Sequence, residues 1–187
     1  MLLPLSLSGL SDEQLMQRAA RGSDRAFEEL YNRHARRLQG FFTRRLSYDA
    51  DLAADFMHDT FLRLYDARAS YREGHNVRAW LYTIAYNLCK NHMRNQLTMV
   101  HESKEEVGED NNIELDIDTA RLHDALRDVL RNHMPEPYAM LFSLHYEEEL
   151  TVPQIAQITQ LPEGTVKSRL HKAMNIIKQQ LKHYENR

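Results

Sequence analysis

The chain of 187 residues carries one cysteine, five prolines, six glycines and one tryptophan. A lone thiol, Cys89, cannot build an internal disulfide framework and fits a reducing compartment. So few Gly and Pro exclude collagen-like and low-complexity chains. Runs of alternating β-branched residues are missing, so nothing announces a sheet. Nowhere do eighteen apolar residues run together, and no membrane insertion is expected. The opening Met1 to Leu10 is apolar but short, lacks a basic start and is interrupted by Pro4 and Gly9, unlike a signal peptide. Ten histidines are present, yet none is spaced or clustered as zinc ligands are. A Gly-rich phosphate loop and a nucleophile–base pattern are also missing. The expectation is a soluble cytoplasmic protein with no metal, no cofactor and no enzymatic activity.

What remains is abundant in helix formers: Leu, Ala, Met, Glu, Gln and Arg. An all-α fold follows. The formal net charge of −3 is unevenly spread. Residues 1–97 carry 14 basic and 11 acidic side chains, a balance of +3. Residues 98–118 carry one Lys and eight acids, a balance of −7. Residues 119–187 carry nine basic and eight acidic side chains, a balance of +1, and the last thirty positions alone reach +4. Local charge governs docking on a polyanion, so the total conceals a basic C-terminal end.

The stretch 98–118, TMVHESKEEVGEDNNIELDID, has no apolar period and reads as a flexible acidic linker. It separates two helical domains, 10–97 and 119–184. In the first, apolar stripes run through Phe27, Leu30, Tyr31, Leu38, Phe41 and Phe42, then Ala53, Phe56, Met57, Phe61 and Leu64. A third runs through Val77, Trp80, Leu81, Ile84, Ala85 and Leu88, which places Trp80 in the core. A short helix starts near Ser11, where Asp12 and Glu13 favour the N-terminal dipole.

Three constellations carry function. Thr151 opens a capping box with Gln154, and Pro153 fits the first turn; a break at Gln160-Leu161-Pro162 follows. The next helix buries Val166, Leu170, Ala173 and Ile177 and turns Gly164, Ser168, His171 and Asn175 outward, flanked by Thr165, Lys167 and Lys172. A short helix, a tight turn and a second helix with a basic outer face form a helix-turn-helix pattern. Hydroxyls and cations there suit phosphates and base edges; a solvated charged face is the plain alternative.

The second constellation is 77–95, VRAWLYTIAYNLCKNHMRN. Arg78, Tyr82, Tyr86, Lys90 and Arg94 fall at i+4 steps as an outward ridge, with Thr83 and Asn87 beside it and Cys89 near its edge. Cations and aromatic faces of this kind support single-stranded DNA. The preceding loop, Asp66 to Asn76, includes Ser70, Tyr71, Arg72 and Gly74 and could hold a flipped base. The third is DLAADFMHDTFLRLY, 51–65, where Asp55, His58, Asp59 and Leu62 share one side. Carboxylates one turn apart repel modestly, so a basic partner would stabilise that face.

These strings resemble a known family. DFMHDTFLRLY is similar to the polymerase-binding helix of extracytoplasmic-function sigma factors (group 4 of the sigma-70 family), D-x-x-Q-E-T-F-L-R-L-W. VRAWLYTIAYNLCKNHMR resembles their promoter-melting helices, and TVPQIAQITQLPEGTVKSRLHKAMNIIKQQL their final helix-turn-helix. His58 stands where the family has Gln, Tyr86 where it has Arg, Asn91 where it has Asp and Lys172 where it has Arg. The resemblance implies a sigma-2 helical bundle and a sigma-4 helix-turn-helix, with no catalytic residue. It implies that Asp55, His58, Asp59 and Arg63 contact the β′ clamp helices of core RNA polymerase, and that the β flap is a further contact. Ser70, Tyr71, Arg72, Asn76, Arg78, Tyr82, Tyr86, Asn87, Lys90 and Arg94 would read and melt the −10 element. Thr165, Lys167, Ser168, Arg169, His171 and Lys172 would recognise the −35 element. An anti-sigma factor is the further partner implied, with a monomer when free. The alternative from the residues is a one-component helix-turn-helix regulator whose N-terminal domain senses a ligand or dimerises.

Overall fold

The computed structural model describes residues 7–99 and 124–185, and the described residues hold helices and turns without a strand. The chain divides into two compact units, Met1–Lys104 and Glu105–Arg187. Most of the acidic stretch 98–118 lies outside the described residues; its first two positions, Thr98 and Met99, still belong to a helix.

The first unit is a bundle of α1 (Asp12–Ala20), α2 (Asp24–Arg45), α3 (Ala50–Ala67) and α4 (Val77–Met99). Each of the first three starts on a side chain that relieves unpaired N–H groups. Ser11 and Gln14 close a reciprocal capping box, Ser23 accepts from Ala26 N, and Asp49 accepts from Leu52 N. Between α2 and α3 the chain reverses through Ser47 and Tyr48, both with positive φ. The core joins Leu15, Met16 and Ala19 of α1 to Leu30, Leu38, Phe41 and Phe42 of α2. Met57, Phe61 and Leu64 of α3 complete it, with Leu81, Tyr82, Ala85 and Cys89 of α4.

Three expectations for α4 are corrected here. Tyr82 is 1% exposed and its ring meets Phe41 edge-on with centroids 5.5 Å apart, so it belongs to the core and not to an outward ridge. Cys89 is fully buried as well, while Trp80 is only half-buried and stacks on Tyr71. The helix is turned about its axis relative to the expected stripe, because apolar residues lie nearly all round its first half and the facing helices choose the phase.

A second anchor fixes the start of this unit. The Arg33 guanidinium donates to the backbone carbonyls of Leu7, Ser8 and Leu10, and to Asp12 and Glu29. His34 pairs with the other Asp12 oxygen at 2.6 Å.

The second unit begins with a helical stretch over 124–128 that continues as a π-turn, Val129–His133. Then come α5 (Glu136–Phe142), a π-turn (Ser143–Glu147), α6 (Val152–Thr159) and α7 (Glu163–Glu185). Val129, Met134, Ala139, Phe142, Ala173 and Ile177 form its core cluster. Ile155 and Ile158 of α6 and Val166 and Leu170 of α7 are buried too.

Candidate functional site

Three surfaces carry the residues singled out above. On α3, Asp55, His58, Leu62 and Arg63 are exposed and Asp59 is partly so. Arg63 donates to Asp59 at 2.9 Å across one helical turn, and that bond raises the Arg63 pKa above its ordinary value. His58 lies nearly parallel to Tyr31 of α2, with centroids 6.2 Å apart. Leu62 is 60% exposed and, with Tyr146, one of two large hydrophobic side chains that stand exposed among the described residues. Beside it runs a shallow groove lined by Phe27, His58, Asp59, Phe61, Leu62 and Tyr65. Its aromatic wall is held by Phe27 meeting Tyr65 edge-on at 5.0 Å and by the Tyr65 hydroxyl donating to Asp24. Apolar floor and acidic rim together suit a helix that is apolar on one side and basic beside it.

The second surface is built around the connection from α3 to α4. A 3₁₀ turn, Arg68–Ser70, follows α3, and Arg68 lies over the Tyr65 ring at 3.5 Å. Ser70 donates to the Ala67 carbonyl. The loop 71–76 is closed on itself: the Tyr71 hydroxyl donates to the His75 carbonyl at 2.8 Å, and Gly74 supplies a positive φ. Asn76 accepts from Ala79 N at 2.7 Å, which caps α4. Tyr71 also stacks on Trp80, centroids 6.1 Å apart and planes 15° from parallel. Burial, and then the carboxylates of Glu13 and Glu73, push the Tyr71 hydroxyl pKa up, so it stays a donor. The result is a loop bonded to itself and to the start of α4 that leaves Arg72, His75 and the rest of Asn76 exposed.

Along α4 the expected ridge is divided. Tyr82 is lost to the core, Arg78 and Tyr86 are half-buried, and Asn87, Lys90 and Arg94 are exposed. The Lys90 ammonium lies 6.0 Å from the Tyr86 ring centroid, a cation beside an aromatic face. Reasoning from period alone missed Trp80 as part of this surface; its stacking on Tyr71 is a contact between a loop and a helix face.

The third surface lies on α6 and α7. Thr151 and Gln154 form the capping box of α6, and Gln160 ends it in the left-handed conformation at φ 57°. Pro162 then accepts from Thr165 N and Val166 N to start α7. Gly164, Lys167, Ser168, His171, Lys172 and Asn175 are exposed on one side, with Thr165 and Arg169 at its edges. Val166, Leu170, Ala173 and Ile177 are buried opposite. Small residues at the N-terminal end leave the backbone free to approach a groove, and three cations flank it.

Comparison with known proteins decides the family. Residues 30–97 match sigma-70 region 2, and residues 123–176 match sigma-70 region 4. The chain belongs to the extracytoplasmic-function sigma factors of RNA polymerase. It is 30% identical over 177 residues to the RNA polymerase sigma-H factor of Pseudomonas aeruginosa, covering 89% of this chain and 91% of that one. It is 28% identical over 185 residues to the ECF RNA polymerase sigma-E factor of Haemophilus influenzae, covering 92% and 96%. Two solved structures share the fold. CnrH in complex with the cytosolic domain of CnrY superposes with a TM-score of 0.69 at 22% identity, covering 92% of this chain and 97% of that one. The sigma factor RpoE of Bartonella quintana, in complex with the anti-sigma factor NepR, gives 0.68 at 23% identity, covering 83% and 96%.

This sigma factor family binds core RNA polymerase and promoter DNA and starts transcription. A one-component regulator is not favoured, since the N-terminal unit of the sigma factor matches region 2 rather than a sensing domain. Among the described residues no group of three His, Cys, Asp or Glu could hold a metal, and no helix is long and apolar enough to cross a membrane.

Proposed function

We propose that the three surfaces divide the work of promoter opening in the cytoplasm. The face of α3 bearing Asp55, His58, Asp59 and Arg63 docks on the β′ clamp helices of core polymerase, with Leu62 and the adjoining groove supplying apolar contact. The loop 71–76 and the exposed side of α4 hold the unpaired −10 strand. Tyr86 and Lys90 support its bases and backbone, while Asn87 and Arg94 extend the track. The outer side of α7 reads the −35 duplex, with Lys167, Arg169 and Lys172 at phosphates or guanines and Thr165, Ser168 and His171 between them. The working domains are 10–97 and 119–184, and the acidic 98–118 tethers them.

The observation that carries this reading is the closed loop: Tyr71 is bonded to His75, stacked on Trp80 and followed by the Asn76 cap. Such a preformed site accepts a flipped base without ordering cost of its own. Flipping and unstacking cost a few kcal/mol, which contacts to the base and to polymerase offset. No group in this chain need change covalently. The exposed Leu62 and its groove also offer a surface that an anti-sigma factor would cover in the resting state. Run-off transcription with purified core polymerase and this chain tests the reading. Initiation from a defined set of genomic promoters is expected; failure to bind core or to start from any promoter overturns it.

A further inference from the structure

The base-capture loop is braced from α1, an element that lies before the region-2 match. Glu13 sits in the first turn of α1, half-buried, and accepts from Val77 N, the first amide of α4, at 3.5 Å. Helix α4 begins without an acidic residue in its first turn and carries Arg78 there. A helix start normally gains from a negative group near its unpaired N–H groups. Asn76 satisfies Ala79 N, and Glu13, sixty-four residues away in the chain, supplies the missing charge. The same carboxylate is among the groups that raise the pKa of the Tyr71 hydroxyl, which is bonded to the His75 carbonyl at that same end of the loop. The C-terminal end of the loop, where Asn76 leads into Val77, is thus met by a side chain of α1.

Helix α1 itself is held firmly enough to serve as a brace. Its neighbouring residue Asp12 takes Arg33 at 3.1 Å and His34 at 2.6 Å, both from α2. Leu15, Met16 and Ala19 fix the opposite side in the core. The path therefore runs from α2 through Asp12 to Glu13 and on to the loop and the start of α4.

We propose that Glu13 is a positioning residue for capture of the −10 base: it sets the loop 71–76 against the N-terminus of α4 and does not touch DNA. The proposal rests on the assignment of that loop to −10 capture. A carboxylate near a DNA site acting only through repulsion would weaken binding, and its removal would then strengthen initiation. A positioning carboxylate gives the reverse.

The test uses full-length chain with core polymerase on a promoter from which the wild-type holoenzyme initiates. First, each −10 position of the non-template strand is replaced in turn by an abasic nucleotide, and the position that costs wild type most is identified. Glu13→Ala is expected to lower initiation on the intact promoter about two- to fivefold, the effect of one charge at a helix terminus. On the abasic template its loss should vanish, because the captured base is already missing and the two changes share one interaction. Glu13→Gln, which keeps an acceptor oxygen for Val77 N but not the charge, should recover part of the difference and not all of it. Core binding should be unchanged in both variants. An undiminished loss on the abasic template would mark a general structural defect and overturn the proposal, as would wild-type or improved initiation by Glu13→Ala. If wild type initiates but no abasic position matters, loop capture itself fails and Glu13 positioning falls with it. If wild-type holoenzyme does not initiate at all, the sigma assignment of the surfaces is what fails.

Discussion

Tyr82 and Lys90 are two turns apart on α4, yet one is in the core and the other is in solvent. Tyr82→Ala removes a buried ring that packs edge-on against Phe41, and should cost about 3–5 kcal/mol in urea-induced unfolding, as aromatic truncations do. Lys90→Ala and Arg94→Ala should leave the unfolding midpoint nearly unchanged and weaken binding of the unpaired −10 strand by the holoenzyme. The sequence could not fix this phase. Val77, Ala79, Trp80, Leu81, Tyr82, Ile84, Ala85, Leu88 and Cys89 surround the helix, so several rotations bury comparable apolar area and the facing helices, Phe41 of α2 among their residues, decide. Asp12 carries a different kind of prediction. The hydrogen bond from His34, followed by its charge and those of Arg33, holds the Asp12 carboxyl below its ordinary value despite partial burial. A lowered pKa in the folded state means stability that is present above the unfolded value, about pH 4, and is lost as pH falls through the folded one. Urea midpoints measured downward from about pH 5 should therefore fall less steeply for Asp12→Asn than for the wild type.

At the scale of elements, capping was legible and rotation was not. The Thr151 box is local chemistry, a hydroxyl and a Gln three residues later, and is present where the pattern placed it; the helix start expected near Ser11 is there too and carries a box of the same kind with Gln14. Thr151→Ala should cost about 1 kcal/mol in thermal or urea unfolding by leaving Gln154 N without its acceptor. The buried side of α7 was equally readable, since Val166, Leu170, Ala173 and Ile177 form one stripe on an otherwise polar helix. Contacts such as Arg33 to Leu7 or Glu13 to Val77 had no signal in the sequence, because no periodicity relates residues so far apart. For α3 the exposed Leu62 gives the sharpest test of docking. Leu62→Asp should leave the fold intact and reduce affinity for core polymerase by at least tenfold, the scale of one lost apolar anchor, measured by competition with wild type. Unchanged affinity would move the polymerase contact off this face.

For the whole molecule, charge is distributed by task. The weak local balances of +3 over residues 1–97 and +1 over 119–187 predict feeble binding of promoter duplex by the free chain at physiological salt. Useful affinity should appear when polymerase holds both domains at the promoter, where the second contact becomes intramolecular. Tight promoter binding by the isolated chain would contradict this. Within the holoenzyme, Lys172→Ala should flatten the dependence of log affinity on log salt by about 0.9, one phosphate's share of released counterions. Arg33 bears on how such a chain can change over generations. Three of its five partners are backbone carbonyls, at Leu7, Ser8 and Leu10, and any residue type provides a carbonyl. A change of side chain at those three positions leaves these acceptors in place, so the heritable constraint on this contact falls on Arg33 and on Asp12 and Glu29, which hold it.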